Sequence, residues 1–113
     1  MSEWPEYYIL IDRLPVAVDM MTWARWCQDH DRSIARDEIG NAVVSTVFLG
    51  LNHNMRMSGE PILFETMIFG GPLDQAQWRH RSYDEAERYH RQAVIEARKA
   101  HARIKSIADQ AGL

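Results

Sequence analysis

Two apolar runs between Asn41 and Gly71 constrain the fold more than any other part of the chain. They read NAVVSTVFLGLNHN and EPILFETMIFGG, separated by a short polar loop that contains Gly59. Both are rich in Val, Ile, Phe and Thr, which fit a pleated, half-buried surface, so the runs should pair as an antiparallel hairpin. Polar residues interrupt both: Ser45, Thr46, Asn52, His53, Asn54, Glu65 and Thr66. A Glu within an apolar strand has to face solvent, pair or bind something, because an isolated buried charge is costly.

The rest of the chain has to complete a fold around that hairpin. With 113 residues it is expected to be a single domain, 1–113, with one core. A hydrophobic share of 46% beside a charged share of 26% is that of an ordinary globular protein. No apolar run is long enough to span a bilayer, and no charged-then-apolar leader opens the chain. The single cysteine, Cys27, excludes an internal disulfide and fits a reducing compartment, so cytoplasm is the expected location. The net charge of −3 hides an asymmetry. Residues 1–78 are acidic on balance and residues 79–113 basic, so the basic segment could meet an anionic ligand or the acidic half of a second copy. A weakly acidic whole argues against general nucleic-acid binding.

Taken in order, residues 1–5 read as a frayed start and Tyr7 to Ile11 as a first strand, closed by a turn at Asp12-Arg13. Pro15 to Val18 is a short extended run. Asp19 is a suitable N-cap for a helix from Met20 to His30. On that helix Met20, Trp23, Ala24 and Cys27 share one face at helical spacing and should be buried, with Trp26 at the edge or in an interface. A short strand follows at 33–38, then Gly40-Asn41 as a hairpin turn. Gly70-Gly71-Pro72 ends the fourth strand and opens a loop as far as His80. Ser82 and Glu85 form a capping box for a last helix, since 86–111 contains neither Gly nor Pro. The expected fold is α+β: a four-stranded, mostly antiparallel sheet with two helices, in the order β-α-β-β-β-α.

The last helix carries a seam of Ala86, His90, Ala93, Ala97, Ala100, Ile104, Ile107 and Ala111, stepping by four and three. Small residues in such a seam suit a helix packed closely on another helix. At roughly 1.5 Å per residue the helix spans about 42 Å, longer than a domain of this size is wide. An overhanging helix predicts self-association, as a dimer or higher oligomer.

STVFLGLNH at 45–53 and PILFETMIFGG at 61–71 together resemble small uncharacterised proteins of tailed bacteriophages. WARW at 23–26 and Arg79, Ser82, Glu85, Ala86 and His90 fit the same resemblance. The chain departs from that pattern at Asn52, where Asp is usual, and at Met55-Arg56-Met57, where a glycine-rich run is usual. The resemblance implies a phage origin and, from that context, an accessory or counter-defence role. It implies no Asp-dependent metal or base role at Asn52.

Candidate ligand-binding residues are Asn52, His53, Glu65, Thr66, Arg79, Arg81, Arg88 and His90. The hairpin group would supply a histidine near its working pKa and a carboxylate to orient it. The arginines lie near a helix N-terminus, which favours anions. Turn asparagines, an exposed His53 and a Glu65 paired with a local arginine describe the same residues without a ligand. No catalytic residues are assigned. The five histidines lack tight metal-ligand spacing, so neither a metal nor another cofactor is expected. The expected function is a non-catalytic, homo-oligomeric binding protein acting in counter-defence, a sponge for a small anionic nucleotide signal or an inhibitor of a host defence protein. An enzyme using Glu65 with His90 or His53 as acid and base on a nucleotide-like substrate is the alternative. A virion-assembly role has no positive feature in the sequence.

Overall fold

The computed structural model describes residues 4–54 and 59–112; the Met55-Arg56-Met57 departure and most of the expected frayed start lie outside them. The fold is mixed α+β. Strands β1 (Tyr7–Ile11) and β2 (Leu14–Val18) form a two-stranded sheet and lead into helix α1 (Met20–Asp29). Strands β3 (Ser33–Ile39), β4 (Ala42–Phe48), β5 (Phe64–Phe69) and β6 (Gln77–His80) form an antiparallel sheet in that order, and helix α2 (Tyr83–Gln110) crosses it.

The two long apolar runs pair as expected, with Thr46 opposite Thr66 and Phe48 opposite Phe64. Membership of the sheet differs from the expected β-α-β-β-β-α order. The first strand does not join it, because the Asp12-Arg13 turn folds it back on β2; both turn residues have left-handed φ, 50° and 68°. The fourth position goes to β6, inside the segment read as a loop. A tight turn after Gly70-Gly71, with Gln75 at φ 75°, brings Gln77–His80 alongside Phe64–Met67. That turn escapes a propensity reading because β6 is only four residues long.

Local signals set the helix starts. Asp19 accepts from the Thr22 backbone N–H at 2.8 Å, and Ser82 accepts from that of Glu85 at 3.1 Å. The Asp19 carboxyl is held below its usual range, first by that backbone bond and then by the Thr22 hydroxyl. The face of α1 differs from its periodicity. Met20 is exposed, while Trp26 meets Phe48 edge-on, with ring centroids 5.6 Å apart. The helix is short and lies at the rim of the core, so Trp23, Ala24 and Cys27 of the expected face are half-buried rather than buried, and Trp26 is half-buried beside them.

The alanine seam packs on the chain's own sheet rather than on another helix. Ala86, His90, Ala93, Ala97 and Ala100 are buried there, and α2 contacts all four strands. Small side chains let the helix axis approach the sheet closely. Gly40, at φ 58°, makes the same allowance at the hairpin end, where a Cβ would stand 2.5 Å from the His101 ring. Beyond His101 the helix runs past the sheet, and the molecule measures 57 × 31 × 19 Å.

The core under α2 is not continuous. One apolar cluster centres on Val44, Ile68 and Ala97, a second on Phe48, Phe64 and Ala86. Each fully buried Phe, Ile or Val contributes roughly 1.5–3 kcal/mol. Thr46, Thr66, His80 and His90 fill the space between the clusters.

Candidate functional site

Strand alternation builds this polar layer. On β4, Val44, Thr46 and Phe48 share the inward parity, and on β5 Phe64, Thr66 and Ile68 do so. A hydroxyl therefore sits between apolar neighbours on each central strand. His90 descends from α2 and His80 closes the row from β6.

The side chains form one hydrogen-bonded chain. His90 Nε2 meets Asp37 Oδ2 at 2.7 Å, and His90 Nδ1 meets Thr46 Oγ1 at 2.7 Å. Thr46 Oγ1 meets Thr66 Oγ1 at 2.6 Å, and Thr66 Oγ1 meets His80 Nε2 at 2.9 Å. The Asp37 carboxylate can only accept, which gives the row a direction. A neutral His90 donates from Nε2 to Asp37 and accepts at Nδ1 from Thr46. Thr46 in turn accepts from Thr66, and Thr66 accepts from His80 Nε2–H. His80 Nδ1 is then a lone pair, buried and without a partner. Its ring stacks on Tyr89 at 4.8 Å between centroids. Burial pushes the His80 pKa down, opposed by the charges of Glu85 and Glu65. The row spans four strands and the helix. It opens to solvent only at Asp37 and ends blind at His80.

Among the described residues no helix packs across the other face of the sheet. Val43, Ser45, Val47, Glu65 and Met67 are half-buried there, and Phe69 is exposed. Glu65 Oε2 accepts from Arg79 Nε at 3.3 Å and from Gln77 Nε2 at 2.5 Å. At one edge, where α1 ends, a groove of about 550 Å³ opens. Cys27, His30, Asp31 and Arg32 line it from the end of α1 onward, with Ser33 and Arg36 of β3, Ser45 and Val47 of β4, and Leu49 just after it. Arg36 pairs with Glu38 at 2.9 Å; Arg32 has no ion pair among the described residues. Asp31 caps the Ser33 backbone N–H at 2.9 Å.

The structure does not bring the eight sequence-derived candidates together. Thr66 and His90 belong to the buried row, whereas Glu65 and Arg79 pair on the opposite face. Asn52 Oδ1 accepts from the backbone N–H groups of Asn54 and Ile62, and the His53 backbone N–H donates to the Ile62 carbonyl, so both residues close the hairpin end. Arg81 Nε donates to the Glu60 carbonyl at 3.4 Å, and Arg88 lies over the Tyr89 ring. The arginines, close in sequence, point to different surfaces.

Sequence reasoning missed Asp37 and His80 as members of the row, and Arg32 and Arg36 as groove residues. The inward parity shared by Thr46 and Thr66 could have revealed the row. The groove had no such signal, because the end of a helix and the paired strands β3 and β4 build it together.

Among the described residues no three His, Cys, Asp or Glu side chains are arranged to hold a metal ion, and no helix is long and apolar enough to cross a membrane. Comparison with family models, with curated proteins and with solved structures gave no match.

Proposed function

We propose that this chain is a non-catalytic, homo-oligomeric binding protein of phage origin that works in counter-defence by holding a small nucleotide signal. The observation that carries the reading is the groove on the open sheet face. Arg32 and Arg36 supply planar donors suited to phosphate, Ser33 and Ser45 supply hydroxyls, and Val47 and Leu49 give apolar contact for a base, while Asp31, the acidic residue of the lining, is engaged with the Ser33 backbone N–H. Phage origin rests on the resemblance of residues 45–53 and 61–71.

The placement of Glu65 and His90 argues against the enzyme reading in its Glu65–His90 form, and leaves its Glu65–His53 form to the turnover test below. Glu65 and His90 lie on opposite faces of the sheet, so they cannot flank one scissile bond. The buried row, for its part, is bonded within itself from Asp37 to His80 Nε2 and reaches solvent at Asp37. Inhibition of a host defence protein is a second reading, favoured by the exposed Phe69 and the mixed polar and apolar character of the same open face.

The test is calorimetry with cyclic and linear nucleotides, joined to mass spectrometry of the ligand released afterwards. A bound nucleotide recovered unchanged is the expected result, with Arg32→Ala/Arg36→Ala weakening binding at least tenfold and higher salt weakening it further. A hydrolysed ligand overturns the non-catalytic reading. Absence of binding by every nucleotide overturns the nucleotide reading and leaves the host-protein one.

A further inference from the structure

We infer that two copies of this chain associate about a two-fold axis, the overhanging end of each α2 docking on the β1–β2 sheet of the other. This rests on the reading of the chain as self-associating and assigns the surfaces that would do it.

The first surface is the outer face of β1–β2. Ile11 pairs across the strands with Leu14, and Ile9 with Val16. Tyr8, of opposite parity, is buried in the core, so these pairs point away from it. Trp23 covers only the Tyr7 end of that face, at 5.3 Å between ring centroids. Ile11, Leu14 and Val16 remain 52%, 67% and 38% exposed. The second surface is the end of α2, where the stripe that packs on the sheet continues as Ile104 and Ile107, 52% and 55% exposed.

These surfaces cannot meet within one chain. Arg13 ties the β1–β2 turn to the start of α2, over the Tyr83 ring and 3.8 Å from Glu87. From Glu87 to Ile104 the helix rises roughly 25 Å at about 1.5 Å per residue. Their charges are complementary. Beside the apolar turn stand Asp12 and, in the first turns of α2, Asp84, Glu85 and Glu87, which outnumber Arg13 and Arg88 there. The overhang beyond His101 carries Arg103 and Lys105 against Asp109. A two-fold axis satisfies both ends at once, each apolar end meeting an apolar patch and each basic end an acidic one. It also sets the two α2 dipoles antiparallel.

The experiment is site-directed cross-linking with sedimentation analysis. In a Cys27→Ser background, Leu14→Cys and Ile107→Cys are placed in separate chains, mixed and oxidised. Predominant 14-to-107 cross-links are expected; predominant like-with-like cross-links overturn the arrangement. Ile104→Glu/Ile107→Glu, at positions already exposed, should raise the dissociation constant at least tenfold with unchanged circular dichroism. An oligomer that persists unaltered in that variant overturns this interface while self-association stands. A monomeric unaltered protein at micromolar concentration overturns both.

Discussion

Thr66→Val tests the buried row most directly, because it removes one hydroxyl while nearly preserving shape. Thr66 Oγ1 makes two of the row's bonds, to Thr46 Oγ1 and to His80 Nε2, and the residue has no exposed surface. Valine leaves His80 with a buried N–H that has no acceptor and strands the Thr46 oxygen that accepted from Thr66. An orphaned buried polar group costs about 1–3 kcal/mol, and a donor costs more than one of two lone pairs. The expected loss is about 2–4 kcal/mol, or a fall in Tm of roughly 10–20 °C for a domain near this size. Thr66→Ser keeps the hydroxyl and loses one methyl, so it should cost only about 1 kcal/mol. Thr46→Val/Thr66→Val should cost less than the two single changes added, because both remove the same bond. Urea unfolding followed by circular dichroism gives all four values. If Thr66→Val lies within about 0.5 kcal/mol of the unaltered protein, or if the cycle is additive, the row is not a coupled structural unit.

Three further outcomes follow from named contacts. Gly70 sits at φ 81°, and a Cβ there would meet the Asn41 carbonyl oxygen, so Gly70→Ala should lower Tm sharply in a thermal scan, whereas Gly112→Ala, in open space, should be far milder. Glu65 is paired on a partly exposed face with a 43% exposed Arg79 side chain, so Glu65→Gln should keep the fold and cost less than about 1 kcal/mol in urea unfolding. His80 has its pKa lowered on folding, so the unfolded chain binds the proton first as pH falls. Stability should therefore decline below about pH 6.5, the unfolded value, until the folded value is passed. In unfolding curves at stepped pH, His80→Gln should flatten that part of the profile.

Much of the fold was legible in local chemistry. The hairpin of 41–71, the N-caps at Asp19 and Ser82 and the long unbroken α2 depend on strand propensity, side-chain caps and the absence of helix breakers, all of which act within a few residues. The polarity of Thr46, Glu65 and Thr66 was equally visible. Their separate roles were not, because neighbouring residues on a strand face opposite sides. Glu65 turns outward to Arg79 while Thr66 turns inward to His80, and one step of parity splits a cluster that looks single in the sequence.

What surrounds each face is a long-range matter. The stripe on α2 has the spacing of a helix–helix seam, and its alanines serve equally against a sheet; the hairpin beneath them determines which partner they take. Asp37 reaches His90 across 53 positions, and no local spacing encodes that bond. The groove of Arg32, Arg36 and Ser45 likewise exists only because β3 pairs with β4 beside the end of α1. Propensity and capping are short-range energies, written residue by residue. Which polar groups share a site depends on chain crossings, and those are set when distant apolar surfaces are buried together.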